Sequence, residues 1–346
     1  KSQNPAKKVT MKDGADVAGI SQAAVSMALR GHPRISETQR IRIRQICDEL
    51  GYRNLRPGRI RRGSMTLPAL ARIGLVTVGT PHASALLHPI SLRCQETGTR
   101  LEVLSLPGRK ASPSTCDQIL EFSRHLDGVL LTDWISQEML TGLDTAGKPY
   151  VVLGHILTEP WDMPRAELVR TVTCDERDMG RFAAHTLFRR GHRRLLFLSG
   201  STPSGLYNAH WRDGFRLAHA DQGYVPGIEL MITSDMPEEK RCRIAEAVLE
   251  DTDPPTGFVL VNCVTARYLL EAARRKSREI LSQSVIMGDF PQQVAAIGLQ
   301  GCGILAPDFE TLAVQALHLL TRQCAGDRNF HGEVTVPFLA YGFEKA

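Results

Sequence analysis

Apolar positions along this chain follow two different periods. Over the first fifty residues they recur at helical spacing in short runs. Residues 9–29 read VTMKDGADVAGISQAAVSMAL, in which Thr10 followed by Asp13 resembles a capping box with an acid near the helix dipole. The helix is expected to stop at Gly19, a residue suited to the left-handed conformation of a tight turn. Ser21 then caps a second helix over 22–29, with Val25, Ala28 and Leu29 as its inner face. The small residues Ala15, Ala18, Ala24 and Ala28 let the two helices approach, and Gln22, Ala23, Ser26 and Met27 form the exposed edge. A second capping box, Ser36 with Gln39, starts a third helix that carries the stripe Ile43, Ile46, Cys47 and Leu50 and ends at Gly51. Two short helices joined by a glycine turn read as a helix-turn-helix, the second helix lying in a DNA major groove. Helix–glycine–helix pairs also occur in all-α proteins that bind no nucleic acid, so the pattern needs a second observation.

From residue 73 onward, short apolar strands alternate with amphipathic helices. Strands are expected at 73–78, 100–106, 128–132, 150–154, 194–200, 257–262, 284–288 and 302–306, mostly as continuous Val/Ile/Leu runs of the kind buried on both faces of a parallel sheet. Helices are expected at 113–125, 136–146, 178–190, 205–221, 238–250, 264–275 and 308–323. This alternation predicts a doubly wound α/β core, and so many strands over some 270 residues predict two parallel-sheet subdomains rather than one. The expected division is a helix-turn-helix domain over 1–52, a linker over 53–72 and a core over 73–346. Within the core, the first subdomain takes about 73–170 and 302–328, and the second about 171–301 and 329–346.

Charge supplies the second observation. Residues 1–72 carry 15 Lys+Arg against 5 Asp+Glu, whereas the rest of the 346-residue chain carries 27 against 32. The overall +5 therefore combines a basic head with a mildly acidic body, as expected when only one end meets phosphates. No apolar run approaches the ~20 residues of a membrane span. The start, KSQNPAKK, has no apolar segment after its lysines and does not read as a signal peptide. Eight cysteines are scattered without a C-x-x-C pair, so reduced thiols in a cytoplasm are expected rather than a metal or disulfide framework.

Residues 9–53 resemble, without a gap, the DNA-binding headpiece of the lactose-repressor/galactose-repressor (LacI/GalR) family of bacterial transcription regulators. The likeness rests on the V-S-x-A-L core, the S-E-T-x-R helix start and the closing L-G-Y. Two positions depart from the family pattern: Gly14, where an apolar residue is usual, and Met27, where many members carry a base-contacting arginine. The resemblance implies a periplasmic-binding-protein-like core, a homodimer, double-stranded operator DNA as partner and a small-molecule effector. It also implies Thr10, Ser21 and Ser26 at phosphates, Gln22 as the hydrogen-bonding reader, and Ala23 and Met27 in apolar contact with bases. The linker 53–72 holds six arginines and lacks the family's hinge-helix pattern, with Pro57-Gly58 standing where that helix would lie. Arg56 and Arg59 are the candidates there for phosphates or a narrow minor groove, the alternative being a solvated basic linker.

In the body, WRDGFRLAHADQG resembles the family's R-x-G-F helix, whose arginine contacts the effector in relatives and maps to Arg212. The family's N-D pair stands here as Asn262-Cys263, so only the asparagine carries over, and Gly288-Asp289-Phe290 supplies Asp289 as the candidate cleft carboxylate. Trp134 and Trp211 join them on chemistry alone, since aromatic faces stack on sugars; packing into subdomain cores is the alternative for both. Other signals carry no chemistry. Gly298, Gly301 and Gly303 have the wrong order for a dinucleotide fingerprint, 200–205 lacks the G-K-[ST] of a P-loop, and no G-x-S-x-G or H-E-x-x-H occurs. The expectation is a non-enzymatic regulator without cofactor or metal, responding to a sugar or sugar derivative, with a nucleobase or carboxylate metabolite as the second choice of effector. A periplasmic-type sugar-binding protein without DNA function is the alternative, and the basic head argues against it.

Overall fold

The computed structural model describes residues 15, 17–22, 24–25, 39, 43, 70–77, 81–106, 113–132, 135–154, 166–200, 209–233, 235–299, 301–327 and 330–343. The chain divides into two compact units, Lys1–Thr66 and Leu67–Ala346.

In the first unit, Ala15, Val17 and Ala18 are helical, Gly19 takes φ +67°, and Gln22, Ala24 and Val25 are helical again. The turn closes through Ile20 N–H donating to Ala15 O at 3.1 Å. Ser21 caps the following helix, its Oγ accepting from Ala24 N–H at 3.2 Å. Ala15, Val25 and Ile43 are buried while Gln22 is exposed, so the small-residue face is turned inward as the apolar spacing requires.

The second unit contains two six-stranded sheets. In chain order its elements begin with β1 (Arg72–Thr77), α1 (Pro81–Thr97), β2 (Arg100–Ser105), α2 (Pro113–Ser123), β3 (Gly128–Thr132), α3 (Gln137–Thr145), β4 (Tyr150–Leu153) and β5 (Arg170–Cys174). They continue with α4 (Glu176–Arg189), β6 (Leu195–Ser199), α5 (Ala209–Gln222), β7 (Ile228–Met231), α6 (Glu238–Glu250), β8 (Gly257–Val261) and α7 (Cys263–Arg275). The chain closes with β9 (Ser284–Met287), α8 (Pro291–Ala296), β10 (Gly303–Pro307), α9 (Phe309–Cys324), β11 (Gly332–Val336) and β12 (Phe338–Tyr341). The first sheet has the order β11-β5-β4-β3-β1-β2 and the second β12-β10-β9-β8-β6-β7. All pairings are parallel except β10 with β12.

Central strands are buried on both faces and each sheet carries an apolar layer on either side. Strand β5, RTVTC, is just as buried although polar. It tolerates burial because Arg170 lies 4.7 Å over the Tyr150 ring and pairs with Asp144 at 3.0 Å.

The chain passes between the two lobes three times, after β5, after β10 and after β11. The passages are neighbours: Asp175 N–H donates to Val336 O at 3.0 Å, and Pro307 is in register with Phe338. Asp175 and Asp308 take nearly the same backbone angles and each caps the helix that follows. Asp175 accepts from Asp178 N–H at 2.9 Å and Asp308 from Thr311 N–H at 3.0 Å.

These passages correct the expected subdomain limits. Strand β10 belongs to the second sheet, not to the first subdomain with the rest of 302–328; β5 and β11 belong to the first sheet rather than the second subdomain. The reason is that each passage sits at the carboxyl end of a strand, so the strand stays in one lobe and its following element joins the other. Among the described residues, no helix is long and apolar enough to cross a membrane, and the seven described cysteines are free.

Candidate functional site

In a parallel sheet, the connections leaving the carboxyl ends of the strands form the site-bearing edge. In the second lobe three expected residues come from such connections. Asn262 directly follows β8, Asp289 follows β9 by one residue, and Arg212 lies in the first turn of α5, the helix after β6. Asn262 has φ 59° and ψ 157°, a region nearly restricted to glycine and costing about 1–3 kcal/mol. It is held there by its N–H donating to Met287 O and its Oδ1 accepting from Thr265 N–H, both at 2.9 Å. That strained residue caps α7.

The Asp289 carboxylate is drawn to the same helix start, where its Oδ2 accepts from Cys263 N–H. Burial, and after it this carboxylate, push the Cys263 thiol up to about 12, so it stays a neutral hydrogen-bond donor. Asn262, Cys263 and Asp289 are thus one cluster; Cys263, set aside in the sequence because it replaces the family's acid, is its third member.

Trp211 is only 4 % exposed and belongs to the second-lobe core, so it offers no ring face for stacking on a ligand. This corrects the stacking expectation. Its large volume is spent instead on the gap between α5 and β9: a Cβ on Gly288 would lie 3.1 Å from Trp211 Cη2. The ring thereby places the start of α5 beside the Gly288–Asp289 backbone. Arg212, next along, is half-buried and forms no ion pair with Asp289 or any other residue among those described; its Nε is enclosed without a hydrogen-bond partner. Trp134 lies outside the described residues.

Phe290 was not expected to matter. Its ring packs on the first-lobe core, 5.1 Å between centroids from Phe309 at the start of α9, and His82 of α1 meets Phe309 edge-on at 4.9 Å. The carboxylate of the cluster is therefore one residue away from the aromatic contact that joins the lobes. Phe290→Ala is expected to raise amide hydrogen exchange both in α8 and at the start of α1. A rise confined to α8 would mean that the contact does not couple the lobes.

On the first unit, Ser21 and Gln22 are both exposed at the start of the second helix. Thr10, Ala23, Ser26, Met27, Arg56 and Arg59 lie outside the described residues.

A helix-turn-helix head followed by a two-lobed α/β core defines a class, the DNA-binding transcription regulators with an effector-binding body. Residues 10–54 match the model of bacterial regulatory proteins of the lacI family, and residues 184–342 match the periplasmic binding protein-like domain. Catabolite control protein A of Priestia megaterium is 22% identical over 327 residues, covering 91% of this chain and 92% of that protein. The HTH-type transcriptional regulator AglR of Rhizobium meliloti is 28% identical over 272 residues, covering 75% and 71%. Among solved structures, the transcriptional regulator CelR–cellobiose complex has a TM-score of 0.62 at 19% identity, covering 96% of this chain and 98% of that one. The Lac repressor dimer bound to operator and the anti-inducer ONPF matches with TM-score 0.62 at 18% identity over the same shares. The chain thus joins a head of the lacI family of bacterial regulatory proteins to a periplasmic binding protein-like body.

Proposed function

We propose that this regulator is a non-enzymatic repressor that binds a near-palindromic operator as a homodimer and changes its operator affinity when a sugar or sugar derivative binds between the lobes. The observation that carries the DNA half is the exposed Gln22 directly after the Ser21 cap, at the start of the second helix and aside from the buried Val25. An amide there pairs with both atoms of an adenine edge. Thr10, Ser21 and Ser26 contact phosphates, Ala23 and Met27 touch bases through apolar atoms, and Arg56 and Arg59 follow the backbone or the minor groove. The effector half rests on Arg212, Asn262 and Asp289, all from the site-bearing edge of the second sheet, with Trp134 from the first lobe as the stacking partner. The likeness to a regulator solved with cellobiose and to a repressor solved as an operator-bound dimer supports both halves. The domain limits proposed are 1–52 for DNA binding, 53–72 for the linker and the remainder for effector binding and dimerisation.

The test is selection of bound sites from random DNA with the full chain and with Gln22→Ala. The variant is expected to lose base preference at one position per half-site, a cost of about 1–3 kcal/mol for one bidentate contact. Uniform weakening at every sequence would assign Gln22 to the phosphates instead.

A further inference from the structure

At the site-bearing edge of the second sheet, Arg212 and Asp289 bring one charge of each sign but form no ion pair with each other among the described residues. Arg212 is next to Asp213 in sequence and shares the sheet edge with Asp289, yet it pairs with neither. Asp213, its neighbour in α5, lies 4.0 Å from Arg177 and 3.9 Å from Arg216. Glu229 on β7 takes Arg216 through both of its oxygens, at 2.6 and 2.7 Å. Asp289 is turned to the backbone of Cys263.

Cys263 stands where a second acid would supply another negative charge, and it is held as a neutral thiol. Arg212 stands in the first turn of α5, the helix that follows the carboxyl end of β6. Trp211 fixes that start against Gly288. What remains is a half-buried guanidinium with one enclosed N–H unsatisfied. A buried donor on a charged group without an acceptor is costly, and a bidentate oxyanion is the chemical group that matches its fork.

We infer that the effector carries an anionic oxygen group, a carboxylate or a phosphate, which Arg212 receives. This rests on the reading that the lobes bind an effector and narrows its class from a neutral sugar to an acidic one. In this arrangement Asn262 and the second oxygen of Asp289 remain for hydroxyls, and the guanidinium meets the charge.

The experiment measures thermal unfolding of the full chain with inorganic phosphate, sulfate or neutral cellobiose, ionic strength being held constant with sodium chloride. At concentrations about tenfold above half-saturation, phosphate or sulfate is expected to raise the Tm by about 2 °C. Arg212→Gln should lose that rise and Arg212→Lys should keep part of it. Without added anion, Arg212→Gln is expected to match or exceed the wild-type Tm, because it removes an unpaired charge; an arginine with a merely structural role would lower it. Equal shifts in wild type and Arg212→Gln, or no shift with either anion, overturn the assignment. Stabilisation by cellobiose alone, dependent on Arg212, overturns the anionic class while leaving the effector site in place. The effector reading has its own readout: with the anion rise present, operator affinity unmoved by phosphate, sulfate or cellobiose would count against that reading and not against the charge at Arg212.

Discussion

Gly214→Ala is expected to cost the second lobe at least about 3 kcal/mol, the upper end of overpacking penalties, and to lower its urea midpoint accordingly. Helices α4 and α5 meet backbone to backbone at two glycines. A Cβ on Gly214 would overlap the carbonyl oxygen of Arg177, and one on Gly180 would overlap that of Trp211. Both obstacles are main-chain atoms, so no rotamer change relieves them and the helices must separate. Separation pulls Trp211 from Gly288 and Phe215, fully buried, from the core. The R-D-G-F segment thus divides its labour: the glycine sets the approach, the phenylalanine anchors, and the arginine is delivered to the sheet edge. A wild-type urea midpoint for Gly214→Ala would show that the helices have slack there.

Operator affinity is expected to fall by about 10³–10⁵ between roughly 50 and 200 mM salt, as for complexes with about 6–10 phosphate contacts. The 15 Lys+Arg of residues 1–72 make this steepness a property of the head alone. Removing residues 1–66 is expected to abolish the binding and leave a cooperatively unfolding core, since the second unit carries its own sheets and apolar layers. Titration of a fluorescent operator at several salt concentrations checks the slope. A nearly flat dependence would take the basic head out of the interaction.

Much of this was legible in the residues. Every strand expected from a continuous apolar run is present, because burial on both faces demands such runs. The strands that escaped notice are those with another solution. Strands β7, β11 and β12 lie at sheet edges and are only partly buried, so they lack the run, and β5 buries an arginine through Tyr150 and Asp144. Helix α1 was overlooked because Pro81 and Pro89 punctuate it and its face is weakly amphipathic. At the site, the resemblance picked out Asn262 and Asp289, which follow the neighbouring strands β8 and β9. The engagement of Asp289 by Cys263, the burial of Trp211 and the reach of Phe290 to Phe309 depend on pairings between distant segments, which no local pattern encodes.

The three neighbouring passages also set an order of assembly during synthesis. Strand β11 completes the first sheet beside β5, and β12 completes the second beside β10, so both edges wait for residues 332–341 to leave the ribosome. Neither lobe is finished before the other, although the first has most of its strands more than 150 residues earlier. A nascent or truncated chain ending before Gly332 therefore exposes the open flanks of β5 and β10 at the same time, inviting strand pairing with other chains. Premature termination late in this chain is consequently a hazard of aggregation as well as of lost regulation.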